Sequence, residues 1–242
     1  MTVYPASNEV ANLFHAHVGD PSAKTDPKWD SPSGVVYSWR WGLGRSKAAF
    51  YGTIVRKRPT FVAWSLLPAI LRLVGDPRTA DELFDFGVIS SEAYRIAQAL
   101  DGATDPLGTA DIRKQAGFPT GKEHSSAYHK GLAELEHRLV VTSEFKQSDE
   151  DGTKHHGLIF VRYPEQVKAA EAMTREDAVD TFLAEYLPAA RYAVPSVLAR
   201  HMRVPEIEIA GGLERLCEKG VVGTVQPPGM KSSAYTLVEP NP

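Results

Sequence analysis

The 242-residue chain has one cysteine, so no disulfide can form within it and no cysteine-based structural zinc site is available. That usage suits a reducing compartment, and the chain reads as cytoplasmic. Long apolar runs are missing too. The stretch from Phe61 to Val74 is interrupted by Ser65, Pro68 and Arg72, and the first twenty residues hold Glu9, His15, His17 and Asp20 where a secretory signal would be basic and then apolar. Neither a signal peptide nor a membrane span is expected. Nor is there a large net charge, since 27 Lys and Arg against 30 Asp and Glu give −3. With 43% hydrophobic and 24% charged residues the chain can bury a substantial core, which excludes wholesale disorder. Its length allows one large domain or a few small ones.

The most informative absence is local. Between Ser31 and Gly75 there is no Asp or Glu, while Arg40, Arg45, Lys47, Arg56, Lys57, Arg58 and Arg72 supply seven cations, so the remainder of the chain carries −10 within the overall −3. A phosphate-binding surface requires such segregation, because repulsion elsewhere is screened within a Debye length of the patch. From Tyr37 to Arg58 the cations are interleaved with Tyr37, Trp39, Trp41, Phe50 and Tyr51, a mixture that holds phosphates and stacks bases. Trp39, Trp41 and Phe50 would equally serve as core with arginine stems lying over them, but six cations then still need a partner or water.

Several segments are read from local signals. The first thirty residues combine a short helical pattern at Val10, Leu13 and Phe14 with a Pro/Asp/Ser/Lys loop from Asp20 to Gly34. A short helix around Arg45 to Phe50, a strand at Tyr51 to Val55, a helix from Thr60 to Val74 and a connector from Asp76 to Val88 follow. Beyond Ser90 an internal repeat emerges. Gly131, Leu132, Leu135, Val140 and Val141 recur 81 residues later as Gly212, Leu213, Leu216, Val221 and Val222, and Thr109 to Pro119 matches Pro195 to Pro205 at an offset of 86. Each unit reads helix, helix, helix, strand, turn, strand. In the first the helices are Ser91 to Leu100, Thr109 to Ala116 and Ser125 to Arg138, with strands at Leu139 to Phe145 and Gly157 to Tyr163. Ser90 is the first helix's N-cap, and Ala93 at the third position supplies no acidic partner for a capping box. In the second unit the helices are Arg175 to Tyr186, Val194 to Met202 and Glu206 to Lys219, and the hairpin is Val221 to Val225 with Ala234 to Val238. The fold class expected is mainly α with small β-hairpins (α+β), as tandem winged helix-turn-helix units. The chain divides into an N-terminal helix and loop (1–34), a basic aromatic segment and helix (35–88), a first unit (89–164) and a second unit (174–239).

In the first unit's third helix Tyr128, Leu132, Leu135 and Leu139 form one apolar stripe, leaving Ser126, His129, Lys130 and Ala133 outward. Ser and Lys there can bond phosphate or base edges, the helix N-terminus attracts anions, and Lys122, His124 and Ser125 extend the surface. A solvated polar face would look the same, and Glu134 lies on it. The second unit's third helix opens with Glu206 and Glu208, which phosphates would repel, so that unit is expected to pack or bridge. In the first hairpin Lys154 joins the cationic set. His155 and His156, as strand neighbours, point to opposite faces and read as surface histidines, so no metal site is assigned.

The order Trp39, Phe50-Tyr51-Gly52, Arg56-Lys57-Arg58-Pro59-Thr60, Leu66-Leu67-Pro68, Gly87, Ile89-Ser90 and Gly131-Leu132-Ala133-Glu134-Leu135 resembles the AlkZ-like (YcaQ-like) family of winged-helix DNA glycosylases, over roughly Val36 to Val222. The resemblance implies tandem winged-helix units around a basic DNA channel, duplex DNA, intact or damaged, as partner, no membrane and no cofactor. Active members excise alkylated bases or unhook crosslinks with a Gln-aliphatic-Gln or Gln-aliphatic-Asp motif. Here the only Gln-x-Asp is Gln147-Ser148-Asp149, with Ser in the middle and a place in the hairpin tip. The catalytic residues are therefore unassigned. The reading is a DNA-binding, repair-related protein using Arg40, Arg45, Lys47, Arg56, Lys57, Arg58, Lys122, His124, Ser125, Ser126, His129, Lys130 and Lys154. The alternatives are an active glycosylase, a transcriptional regulator or a protein-interaction module, with the oligomeric state open.

Overall fold

A computed structural model of the chain describes residues 1–6, 10–119, 121, 125–148, 153–190, 192–226 and 233–238. It opens with α1 (Leu13–Val18), whose N-cap Asn12 accepts from the His15 amide and whose end is closed by Gly19 in the left-handed region. Helix α2 (Pro32–Arg45) follows. The sequence reading missed it, placing a loop through Gly34 and a helix only at Arg45. Its start is nonetheless written in the chain, since Ser31 caps the Gly34 amide and Pro32 sits at the first helical position, where no N–H is needed.

Strand β1 (Phe50–Thr53) pairs antiparallel with β2 (Pro59–Val62), in register Phe50↔Val62 to Thr53↔Pro59. The helix expected from Thr60 begins only at Leu67, as α3 (Leu67–Val74), because the β-branched and aromatic run Thr60-Phe61-Val62 finds a strand partner first. The expected connector after Asp76 contains α4 (Ala80–Asp85), opened by a full capping box between Thr79 and Glu82.

The first repeat unit comprises α5 (Ser91–Leu100), β3 (Leu107–Gly108), α6 (Thr109–Gln115), α7 (Ser125–His137), β4 (Val141–Glu144) and β5 (His155–Leu158), with strands in the order β3-β5-β4, all antiparallel. The last strand is not Gly157 to Tyr163 as expected. It ends at Leu158, and Ile159 begins α8 (Ile159–Arg162), followed by α9 (Pro164–Ala172). The second unit is α10 (Arg175–Ala190), α11 (Pro195–Met202), α12 (Glu206–Glu218) and the hairpin β6 (Val222–Val225) with β7 (Ala234–Leu237). An isolated bridge, Ala193↔Tyr235, stands where β3 stands in the first unit, so the repeat extends to the short strand before the second helix. The chain is mainly helical with small antiparallel sheets, and among the described residues no helix is long and apolar enough to cross a membrane.

Three hydrophobic clusters hold these elements. One lies inside the first unit, around Ile96, Ile112, Tyr128 and Leu135. A larger one joins α3 and Phe50 to α10, α11 and α12, through Leu67, Ile70, Leu183 and Leu213. The third, with Phe14, Val36, Trp41, Tyr51 and Phe145, sits under α1 and α2. Polar pairs lock the helix crossings. The missing acid of the α5 cap comes from far along the chain, as Ser90 donates through its amide (3.1 Å) and hydroxyl (2.7 Å) to Glu134 of α7. At the position matching Glu134 in the repeat, Arg215 of α12 donates to Asp180 of α10 at 2.6 Å. Glu208 is not directed at a ligand either. It pairs with Arg175 (2.8 Å), which also donates to the Arg72 and Leu73 carbonyls at the end of α3.

The glycine common to both units is explained by these crossings. A Cβ on Gly131 would lie 2.8 Å from the Ala93 amide nitrogen and 2.9 Å from the Glu92 carbonyl carbon, whereas one on Gly212 would meet the methyl tips of Val179 and Leu183. Gly131→Ala is therefore expected to lower unfolding stability by about 1–3 kcal/mol, despite the ~1 kcal/mol that Ala gains over Gly in a helix. Gly212→Ala should cost less, because methyl tips can turn and backbone cannot. Urea unfolding midpoints of the two variants check this ranking.

Candidate nucleic-acid interface

The turn joining β1 to β2 carries Arg56, Lys57 and Arg58, all exposed. Arg56 (φ 48°) and Lys57 (φ 58°) are both left-handed, a conformation that costs a non-glycine residue about 1–2 kcal/mol. Two of the cations reach back to main-chain oxygens: Arg58 Nη1 donates to the Pro5 carbonyl (2.9 Å) and Arg56 Nη1 to that of Ala6 (3.5 Å). Among the described residues no carboxylate forms an ion pair with any of the three. Lys57 instead shares its surroundings with other cations. Burial first, then Arg203, Lys57 and Arg138, lower the pKa of His137 to about 4. Of these Arg138 has an acid partner, Asp76, at 3.6 Å.

The remaining cations of the acid-free segment are held differently, and the segment does not present one continuous ridge. Arg40, half-buried on α2, lays its guanidinium over the ring of Tyr37 (4.0 Å to the centroid) and near that of Trp41 (4.9 Å). Lys154, from the first unit's hairpin, places its ammonium 5.4 Å from the ring of buried Tyr51. Burial pulls the Lys154 pKa down, Glu136 opposes this and Arg40 adds to it. The two cations therefore approach one buried phenol from α2 and from the β4–β5 hairpin. Lys47 lies 3.7 Å from Glu144, a buried carboxylate already bonded by Arg162 at 2.7 and 3.2 Å. Arg45 is half-buried and engaged within the protein.

On α7 Tyr128, Leu132 and Leu135 form the expected buried stripe, while Leu139, also buried, lies past the helix end in the left-handed region and packs in the cluster of α3 and α10. Ser126, His129, Lys130 and Ala133 are exposed and Ser125 half-buried. Glu134, the acid next to Ala133, is withdrawn from this face, since it is occupied by Ser90. Lys122 and His124 lie outside the described residues, as does Asp149 of the Gln147-Ser148-Asp149 run, of which Gln147 and Ser148 are exposed.

The expectation of surface histidines at the hairpin is corrected. His156 is 3% exposed. Register pairs it with Ser143, and alternation puts both on the face of Val141 and Leu158, which belong to the unit's core. Ser143 Oγ donates to Glu136 Oε1 at 2.6 Å, so the His156 ring at 3.2 Å fits as the Nδ1–H donor to that hydroxyl. Glu136, Ser143 and His156 thus form a relay that runs from half-buried Glu136 to buried His156, and the Glu136 carboxylate acts electrostatically on Tyr51 and Lys154. Burial, then Lys154, His155 and His129, depress the His156 pKa to about 3. No group of three or more His, Cys, Asp or Glu that could hold a metal ion occurs among the described residues.

A mainly helical chain with a repeated helix–hairpin unit, a basic turn and a cationic helix face defines the class. The family model for AlkZ-related proteins matches residues 5–200, and the chain belongs to that family. No curated protein and no solved structure matches it.

The buried histidine gives a pH-dependent outcome. Unfolded, His156 takes up a proton below about 6.5, and folded it stays neutral down to about 3, so the unfolded chain binds more protons in between and stability falls as pH drops through that window. At pH 5 the loss from this group is about 2 kcal/mol, at ~1.4 kcal/mol per pH unit. Urea unfolding at pH 7 and pH 5 should give a smaller difference in His156→Asn than in the parent.

Proposed function

We propose that this protein binds duplex DNA in a repair role, on an AlkZ-like scaffold in which α5–β5 and α10–β7 act as tandem winged helix-turn-helix modules. Arg56, Lys57 and Arg58 contact phosphates, Arg40 and Lys154 extend the contact on either side of Tyr51, and Ser125, Ser126, His129 and Lys130 meet a groove. One observation carries the reading. Three exposed cations sit on a conformationally costly turn with no carboxylate partner among the described residues, and Lys57 adds to the field of Arg138 and Arg203 around His137. Gathering like charges raises the free energy of the isolated protein, and a bound polyanion offsets it while releasing its counterions. The order of elements supports the modules: a short strand precedes the second helix in each unit, and a hairpin follows the third.

Binding should weaken steeply between 50 and 200 mM salt, as roughly expected for several phosphate contacts, and the combined Arg56→Ala, Lys57→Ala, Arg58→Ala variant should flatten the log–log salt slope by about 3. Fluorescence anisotropy with a labelled duplex reads both. A parent protein that binds no duplex at low salt ends the proposal, and circular dichroism establishes that the variant is folded.

A second reading, base excision, is favoured by the Glu136 relay. Glycosidic hydrolysis needs a carboxylate held near a developing oxocarbenium ion, and Glu136, half-buried and fixed by Ser143, would take that part. On this reading the protein forms abasic sites in alkylated duplex and Glu136→Gln abolishes them. Intact DNA after prolonged incubation with the parent protein rules it out.

A further inference from the structure

Beside the basic turn lies an open groove of about 1060 Å³, whose chemistry is set by Tyr4, His15, Asp26, Trp29, Tyr37 and Arg58. Most of one wall is the segment before α2, which has no regular structure yet is fixed along its length. His15 Nε2 faces the Ala23 carbonyl at 3.2 Å while its Nδ1 faces Asn12 Nδ2 at 3.1 Å, so the ring is the neutral Nε2–H tautomer and ties α1 to the wall. The Asp26 amide donates to Ser33 Oγ (2.9 Å), Ser31 Oγ donates to the Lys28 carbonyl (2.6 Å), and Tyr4 donates its hydroxyl to the Ser33 carbonyl (2.8 Å). Gly34 sits directly beneath the Trp29 carbonyl, where any Cβ would collide.

This framework holds an indole in the open. Trp29 is 64% exposed, although it contacts the rings of Tyr37 and Trp41, each at 5.9 Å between centroids. The same groove is lined by Tyr37, whose ring stands at 73° to the indole, by Tyr4 and by Arg58, one guanidinium nitrogen of which is anchored on the Pro5 carbonyl. Arg58 belongs both to the exposed basic turn and to the groove, so a polyanion crossing the turn is led into it.

We infer that this groove takes an unpaired nucleotide of the bound DNA, its base stacked on the exposed face of Trp29, with Tyr37 standing edge-on beside it, and its phosphate on Arg58. The inference rests on the DNA-binding reading above. Aromatic faces stack any base because every base has a π-face, but a base within a duplex is already covered on both faces, so occupancy requires one that has left the stack. The Asp26 carboxylate accepts from an exocyclic amino group, which phosphates and sugars do not offer.

The test uses the full chain with three labelled DNAs: a matched duplex, the same duplex with one extra unpaired 2-aminopurine, and the single strand. The parent protein should bind the bulged duplex about tenfold or more tightly than the matched one, with 2-aminopurine emission changed on binding and total tryptophan emission quenched more than in Trp29→Phe, which keeps the other three tryptophans. Trp29→Ala should abolish the preference while leaving matched-duplex affinity unchanged, and Trp29→Phe should keep most of it. Equal affinity of the parent for matched and bulged duplex, or equal weakening of both by Trp29→Ala, overturns the groove assignment and leaves duplex binding standing. If no DNA is bound at all, both readings fall. Should Trp29→Ala not fold, the parent's preference and quenching together with Trp29→Phe decide.

Discussion

Two helices cross at backbone contact only where one of them carries no Cβ, and the first repeat unit is built around such a crossing, while the second uses its glycine to seat one helix on the side chains of another. Gly131 lets α7 lie against the first turn of α5, and Gly212 brings α12 against α10. A close crossing leaves no room for rotation, so the apolar stripe of α7 is committed inward and Ser126, His129 and Lys130 outward. The polar partners reinforce it. Glu134 satisfies the Ser90 amide and hydroxyl at the N-terminus of α5, where a negative charge is also favoured by the helix dipole. In the second unit the same place is taken by Arg215 on Asp180, and Arg175 with Glu208 ties the unit to α3. One unit therefore spends its helix polarity on exposure and the other on cohesion.

The acid-free stretch poses an electrostatic problem that the fold solves without acids of its own. Arg40 is spread over π faces, Arg56 and Arg58 lean on carbonyl oxygens, and Lys47 borrows a carboxylate from β4. A carbonyl or a ring lowers the energy of a cation but does not neutralise it, so the positive potential survives at the surface. Burial of Lys154 near Arg40 carries that potential inward toward the Tyr51 ring, where it is screened less than at the surface.

Much of this was legible in the sequence, and the parts that were not have definite reasons. The α5 cap at Ser90 and the stripe of α7 are readable because each depends on spacing within a dozen residues, and the internal repeat because the same short spacings recur 81 residues on. Helix α2 was not, since a Pro- and Ser-rich run reads as loop unless Ser31-Pro32 is recognised as a helix start, and its three glycines dilute the pattern. The strand at Thr60 competed with a helical pattern, and only pairing with Phe50 to Thr53 decides between them. Glu134 seemed to argue against anion binding at α7 because its partner is 44 residues away. His156 was assigned to the surface because a pair of adjacent histidines carries no sign of which faces inward; the register against Ser143 supplies it.

The groove before α2 was the least legible feature, and for a reason that bears on how such sites arise. Its wall is held by side chains bonding to nearby main-chain groups, Ser31 to Lys28, Ser33 to Asp26 and His15 to Ala23, and these bonds have no period to detect. Sequence patterns register elements that bury a face. A wall that must keep Trp29 exposed cannot be built that way, because an element burying a face there would draw the indole into it. Anchoring the backbone through short polar side chains leaves the aromatic surface free while fixing its position, and Gly34 admits the Trp29 carbonyl so closely that the indole's starting point is set by α2 itself. Rigid placement of an exposed ring reduces the conformational entropy lost when something stacks on it, so the same bonds that obscure the site in the sequence favour its use.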